Sequence, residues 1–176
     1  MSRLTFKIFG FNIDPQFEFD SAIEWAQDLL SEGYNTNSIE ILAGMSSPIN
    51  YFEAVKLIEE AIIELEIDKY SLTERKGFYC AYFISLIADQ IDVCTNVANV
   101  HSLYLKWLDE SIFNFSLIYW ARDDLIYRDN SEYWESANKE NIEEITEIEA
   151  RKWLLLNKMG EKEISSIFRY GNNNEE

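Results

Sequence analysis

The sequence predicts an all-α fold, a single-domain helical bundle of about six to seven helices with a short extended N-terminal segment. Three observations carry this expectation. Apolar residues recur three and four positions apart through most of the chain. Two capping-box patterns, Asn50 with Glu53 and Ser71 with Glu74, each stand before such a run. Residues 111–128, SIFNFSLIYWARDDLIYR, are apolar on every side when wound as a helix, so they should form a buried one.

Taken in order, Leu4, Phe6 and Ile8 alternate with Arg3, Thr5 and Lys7, a period of two that suggests an extended arm. Asp20 stands as an N-cap before the stripe Ala22, Ile23, Ala26, Leu29 and Leu30, and Gly33 occupies the position of a C′ glycine. Residues 36–43 make a short helix closed by Gly44, and Pro48 breaks the chain beyond it. The helix over 50–65 should bury Phe52, Val55, Ile58, Ile62 and Leu65 and leave Lys56, Glu59, Glu60 and Glu64 outside. Ser71 then opens a helix carrying Phe78, Tyr79, Tyr82, Phe83, Leu86 and Ile87. A break at Asn96 or Asn99 precedes a helix through Leu103, Tyr104, Trp107 and Leu108. The last long helix covers 139–157, with Ile142, Ile145, Trp153 and Leu156 on its inner face. Glu149 falls in the middle of that face and needs a cation, for which Arg122 is the candidate. The polar residues 161–176 read as a frayed tail in which Ile164, Ile167 and Phe168 could dock a final turn.

With 176 residues, 47% of them hydrophobic and 15% aromatic, the chain can bury a core without metals or disulfides. Its 32 Asp and Glu outnumber 15 Lys and Arg, for a formal charge of −17. That charge argues against direct contact with nucleic acid or an anionic membrane and asks for a basic protein partner. Cys80 and Cys94 form no C-x-x-C pair and read as buried free thiols. The opening MSRLTFKIFGFNID lacks the apolar run and cleavage site of a signal peptide, and an uncharged stretch such as 77–88 is too short to span a bilayer. The expected compartment is the cytoplasm.

No catalytic, cofactor or metal site is expected. Asp123 and Asp124 are neighbours whose side chains diverge by about 100° around a helix, and Asp89 and Asp92 more simply bond tyrosine hydroxyls or cap the next helix. His101, the one histidine, lies beside Ser102 without the strand, sharp turn and helix of a nucleophile elbow. Six scattered glycines build no phosphate-binding loop.

Chemistry of recognition concentrates instead at 123–149. Residues 128–149 alone hold eight acids against two cations. The candidate partner-binding residues are Asp123, Asp124, Tyr127, Glu132, Tyr133, Trp134 and Glu135, followed by Glu140, Glu143, Glu144 and Glu147. Aromatic anchors beside carboxylates suit a basic protein, because apolar area holds a complex while charge speeds encounter. A small helical enzyme or metal protein using Asp89, Asp92, Asp123 or Asp124 stays open as an alternative, as does a helical adaptor or scaffold.

The blocks AIEWAQDLLSEG, ILAGM, Pro48, NYFE, YWARDDL and YWESANKENI resemble small acidic bacterial proteins encoded beside toxins. Through them the chain is similar to the immunity proteins of contact-dependent growth inhibition and related polymorphic toxin systems. The resemblance implies an inhibitor, not an enzyme, that binds one cognate toxin domain and blocks its active site. Such toxins are often nucleases, with basic substrate-binding surfaces. It assigns no role to particular residues, since these interfaces differ from one immunity protein to the next.

Overall fold

The computed structural model describes residues 2–159, and among them it holds eight α-helices and two 3-10 turns with no strand. A single isolated bridge joins Asn130 to Asn138. The all-α expectation holds; the tail at 161–176 lies outside the described residues. Packing divides the chain into two compact units, Met1–Tyr79 and Cys80–Glu176.

In the first unit the expected N-terminal arm is a helix, α1 (Leu4–Ile8). Thr5, Phe6, Ile8, Phe9 and Phe11 are all buried, so the segment is enclosed on both sides. Three alternating residues are too few to separate a period of two from one of 3.6. The Trp25 Nε1–H donates to Thr5 Oγ1 at 3.0 Å, which satisfies a buried pair. Phe78 anchors an aromatic cluster, its ring 5.5 Å from Phe6, 4.8 Å from Phe9 and 5.0 Å from Tyr70. Gly10 lies so close under Tyr79 that a Cβ there would run into the ring.

Helix α2 (Ser21–Ser31) buries Ala22, Ile23, Trp25, Ala26 and Leu29. It ends as the sequence suggests: Gly33 takes φ 93°, the Tyr34 amide donates to Leu29 O at 3.0 Å, and the Gly33 amide donates to Leu30 O at 3.0 Å. Asp20 holds the N-cap position, but its carboxylate does not cap. It accepts from the Ser47 hydroxyl and, at 2.8 Å, from the Ile49 amide, so it ties down the loop that follows α3 (Asn37–Ala43). Helix α4 (Tyr51–Glu64) is capped by Asn50, whose Oδ1 accepts from the Phe52 amide at 3.0 Å. Its inner face is Ala54, Ile58 and Ala61, rotated from the expected one, and Phe52 is 82% exposed. The two alanines allow close approach to α3, and the buried Ser38 hydroxyl donates to Glu64 at 3.2 Å and, more weakly, to Glu60 at 3.4 Å.

Helix α5 (Leu72–Ala88) starts with the capping box the sequence predicts. The Ser71 amide donates to Glu74 Oε2 at 2.8 Å, and the Glu74 amide donates back to Ser71 Oγ at 3.3 Å. In the second unit, α6 (Val93–Trp107) runs unbroken through Asn96 and Asn99. The break falls earlier, where Gln90 and Asp92 adopt φ of 58° and 41°. Asn96 stays helical because its amide group donates to the carbonyls of Ile91 and Asp92 at 2.8 and 3.1 Å.

Helix α7 (Phe113–Tyr127) buries Phe115, Ser116, Ile118, Ala121 and Leu125. The expectation that it is enclosed on all sides fails: Trp120, Ile126 and Tyr127 are 43%, 65% and 83% exposed. Helix α8 (Ile142–Leu156) starts three residues later than predicted, because Asn138 and Asn141 turn the chain first. The Asn138 amide donates to Asn141 Oδ1 at 2.8 Å, and the Asn141 amide donates to Asn138 Oδ1 at 3.1 Å. Ile142 and Trp153 lie inside as expected, whereas Leu156 is 70% exposed.

Candidate protein-binding surface

The last two turns of α7, the connector 128–141 and the first half of α8 carry all the candidate residues. A small core holds these pieces together: Ala121 and Leu125 of α7, Ala137 of the connector and Ile142 of α8 are buried, with Trp134 and Ile145 packed against them. Trp134 is therefore an internal anchor of the connector and less an outward contact. The connector folds back on itself, with the Ser131 amide donating to Ala137 O at 3.0 Å and the Glu132 amide donating to Asp124 Oδ2 at 3.0 Å.

The carboxylates sort into two groups. Asp124 and Glu132 both pair with Arg128, and the Arg128 guanidinium is raised above its ordinary range by the Glu132 hydrogen bond and then by the Asp124 charge. Glu147 pairs with Arg151 at 2.9 Å. Glu143 accepts from both terminal nitrogens of Arg122, at 2.7 and 3.0 Å. Burial pulls the Arg122 pKa down, but the hydrogen bonds to Glu143 and Cys94 outweigh it and the net shift is upward. Asp123, Glu135, Glu140 and Glu144 form the second group. They are exposed, and no cation pairs with them among the described residues.

Arg122 thus partners Glu143 and not Glu149. Glu149 is buried, as its place in the helix requires, and accepts from Asn114 Nδ2 at 2.6 Å and Lys152 Nζ at 3.3 Å. Cys94 is exposed, contrary to the buried thiol expected of it, and its Sγ accepts from Arg122 at 2.9 Å; Cys80 is buried.

Three exposed aromatics accompany the second group of acids: Trp120, Tyr127 and Tyr133, with the Trp120 and Tyr133 rings 6.1 Å apart. Trp120, Asp123 and Tyr127 follow i, i+3, i+7 spacing and form one outward stripe on α7. Trp120 and Ile126 were not among the candidates; the seven-residue interval from Trp120 to Tyr127 is the signal in the sequence that links the former to the surface.

The groups weighed for chemistry do not converge. No cluster of three or more potential metal ligands occurs among the described residues. Asp92 sits at the N-cap position of α6 and accepts from the Thr95 hydroxyl at 3.0 Å, while Asp123 points outward and Asp124 towards Arg128. His101 does meet a serine, Ser116 and not Ser102, with Nδ1 and Oγ 2.9 Å apart. Both residues are buried, and the imidazole is stacked on Tyr119 at 4.1 Å with Trp120 edge-on at 5.6 Å. That enclosure makes the pair part of the α6–α7 packing.

No helix among the described residues is long and apolar enough to cross a membrane. Compared with protein-family models, curated proteins and solved structures, the chain matches none.

Proposed function

We propose that this chain is an immunity protein. It binds a cognate bacterial toxin domain, a basic nuclease, and neutralises it by covering the active site with the acidic and aromatic face of the second unit. It acts in the cytoplasm and does no chemistry of its own. The observation that carries the proposal is the set of exposed carboxylates lacking a cation among the described residues, Asp123, Glu135, Glu140 and Glu144, in the same segment as exposed Trp120, Tyr127 and Tyr133. Unneutralised acids at a surface are a standing electrostatic cost in an isolated chain of charge −17, and a basic partner removes it. The sequence resemblance to immunity proteins supports the same class.

Co-purification from the native host, with identification of the partner, tests the proposal. The expected partner is a basic nuclease domain whose activity is lost in the complex. The association rate should fall roughly tenfold or more from low to high salt, since electrostatic steering is screened. Recovery of the chain alone, or a rate indifferent to salt, would count against it.

A further inference from the structure

Next to Asp123, residues of α6, α7 and the start of α8 line an open pocket of about 330 Å³. We propose that it receives the side chain of one lysine on the basic partner, a deepening that rests on the function proposed above. Much of the lining is apolar: Val97 and Ile142 are buried, Ile126 is 65% exposed, and Tyr119 also lines the space. At about 300–1,000 Å³ for ligand pockets generally, this one is at the small end, suited to a single long side chain. A lysine stem buries its methylenes on such walls while its ammonium stays at the rim.

The rim decides the sign of the ligand. Its polar members are Cys94, Arg122 and Asp123. Arg122 is not an anion receptor here, because both terminal nitrogens are held by Glu143 and one also donates to Cys94. The Arg122–Glu143 pair is neutral as a unit, which leaves Asp123, exposed and without a cation among the described residues, to set the net charge of the rim at about −1. A carboxylate ligand would have to displace Glu143 and sit beside Asp123; an ammonium meets Asp123 directly.

Two probes of equal length and opposite charge, n-hexylammonium and hexanoate, separate these cases on the full chain. Methyl resonances of Val97, Ile126 and Ile142 are followed by NMR during titration. Hexylammonium should shift all three saturably and hexanoate should not. Asp123→Asn, at an exposed position, should weaken the hexylammonium response by about two- to fivefold, the range of an exposed ion pair. Shifts as large with hexanoate, or none with hexylammonium, would overturn the lysine pocket. Because the titration needs no partner, its failure leaves the salt-dependent association with a nuclease to be judged separately.

Discussion

Arg122 on α7 and Glu143 on α8 form a two-pronged ion pair, with N–O distances of 2.7 and 3.0 Å and the arginine side chain 15% exposed against 54% for the glutamate. The pair clamps the start of α8 onto α7, so the acids of α8 are not equivalent. Glu143→Lys puts a second cation against a mostly buried guanidinium and should lower stability by about 1–2 kcal/mol, with exposure of the carboxylate moderating the loss. Glu144→Lys, one residue on and exposed, should stay within about 0.5 kcal/mol of the parent. Urea unfolding of the two variants checks the contrast. In a complex with a basic partner the order should reverse for Glu144, which has charge to offer.

Ile118 is fully buried in α7, whereas its neighbour Leu117 is half-buried. Ile118→Ala should cost about 2–5 kcal/mol through lost burial and the cavity left behind. Leu117→Ala should cost distinctly less, since part of its side chain already meets water. Equal losses in thermal or urea denaturation would mean that both sides of α7 are equally enclosed.

How far the sequence foretold these features depends on how local their causes are. The Ser71–Glu74 box and the Gly33 helix end were legible because each is closed by residues a few positions apart with distinctive side chains. The turn between α5 and α6 was not. It uses the same pair of closing bonds as Gly33, with Gln90 and Ile91 donating to Ile87 and Leu86, but Gln90 takes the left-handed conformation without glycine. The rotation of α4 escaped periodicity because Ala54 and Ala61 make the contact while the larger Phe52 faces out. At the surface, charge and aromatic content located the segment. Of the carboxylates used up internally, Asp124 and Glu132 stand four residues from Arg128 and Glu147 four from Arg151, a spacing already present in the sequence, whereas Glu143 meets Arg122 from another helix and is paired by the fold alone.

The capping box at Ser71 also gives stability a pH dependence. Hydrogen bonds from the Ser71 hydroxyl, and then from its amide, hold the Glu74 carboxyl below its ordinary value of 4.5. A carboxyl depressed in the folded state stabilises above its unfolded pKa, and the contribution is lost as pH falls through and below 4.5. Ser71→Ala should cost about 1 kcal/mol well above that pH. The deficit should shrink in acid, where the parent loses the same interaction. Melting temperatures of parent and variant on either side of pH 4.5 test this; a deficit constant with pH would assign it to something other than the ionised box.

His101 controls the opposite kind of group. Burial lowers its pKa from 6.5, since the charged imidazolium would lose water between Tyr119, Trp120 and Ser116. A base depressed in the folded state binds its proton more readily when unfolded. Its contribution is therefore fully present above 6.5 and is lost as pH falls below that value towards the folded pKa. The chain has one histidine, so acid destabilisation beginning just under 6.5, before the carboxylates titrate, belongs to this residue. NMR titration of the single imidazole reads the folded pKa directly and should place it under 6.5. Replacing both partners, His101→Phe with Ser116→Ala, removes the titrating group without stranding a buried hydroxyl, so the cost near neutral pH should stay small. That double variant should show a flat melting temperature from 6.5 downward until the carboxylates begin to protonate. A slope unchanged from the parent would place the proton uptake elsewhere, and the α6–α7 contact would then owe its pH response to some group other than His101.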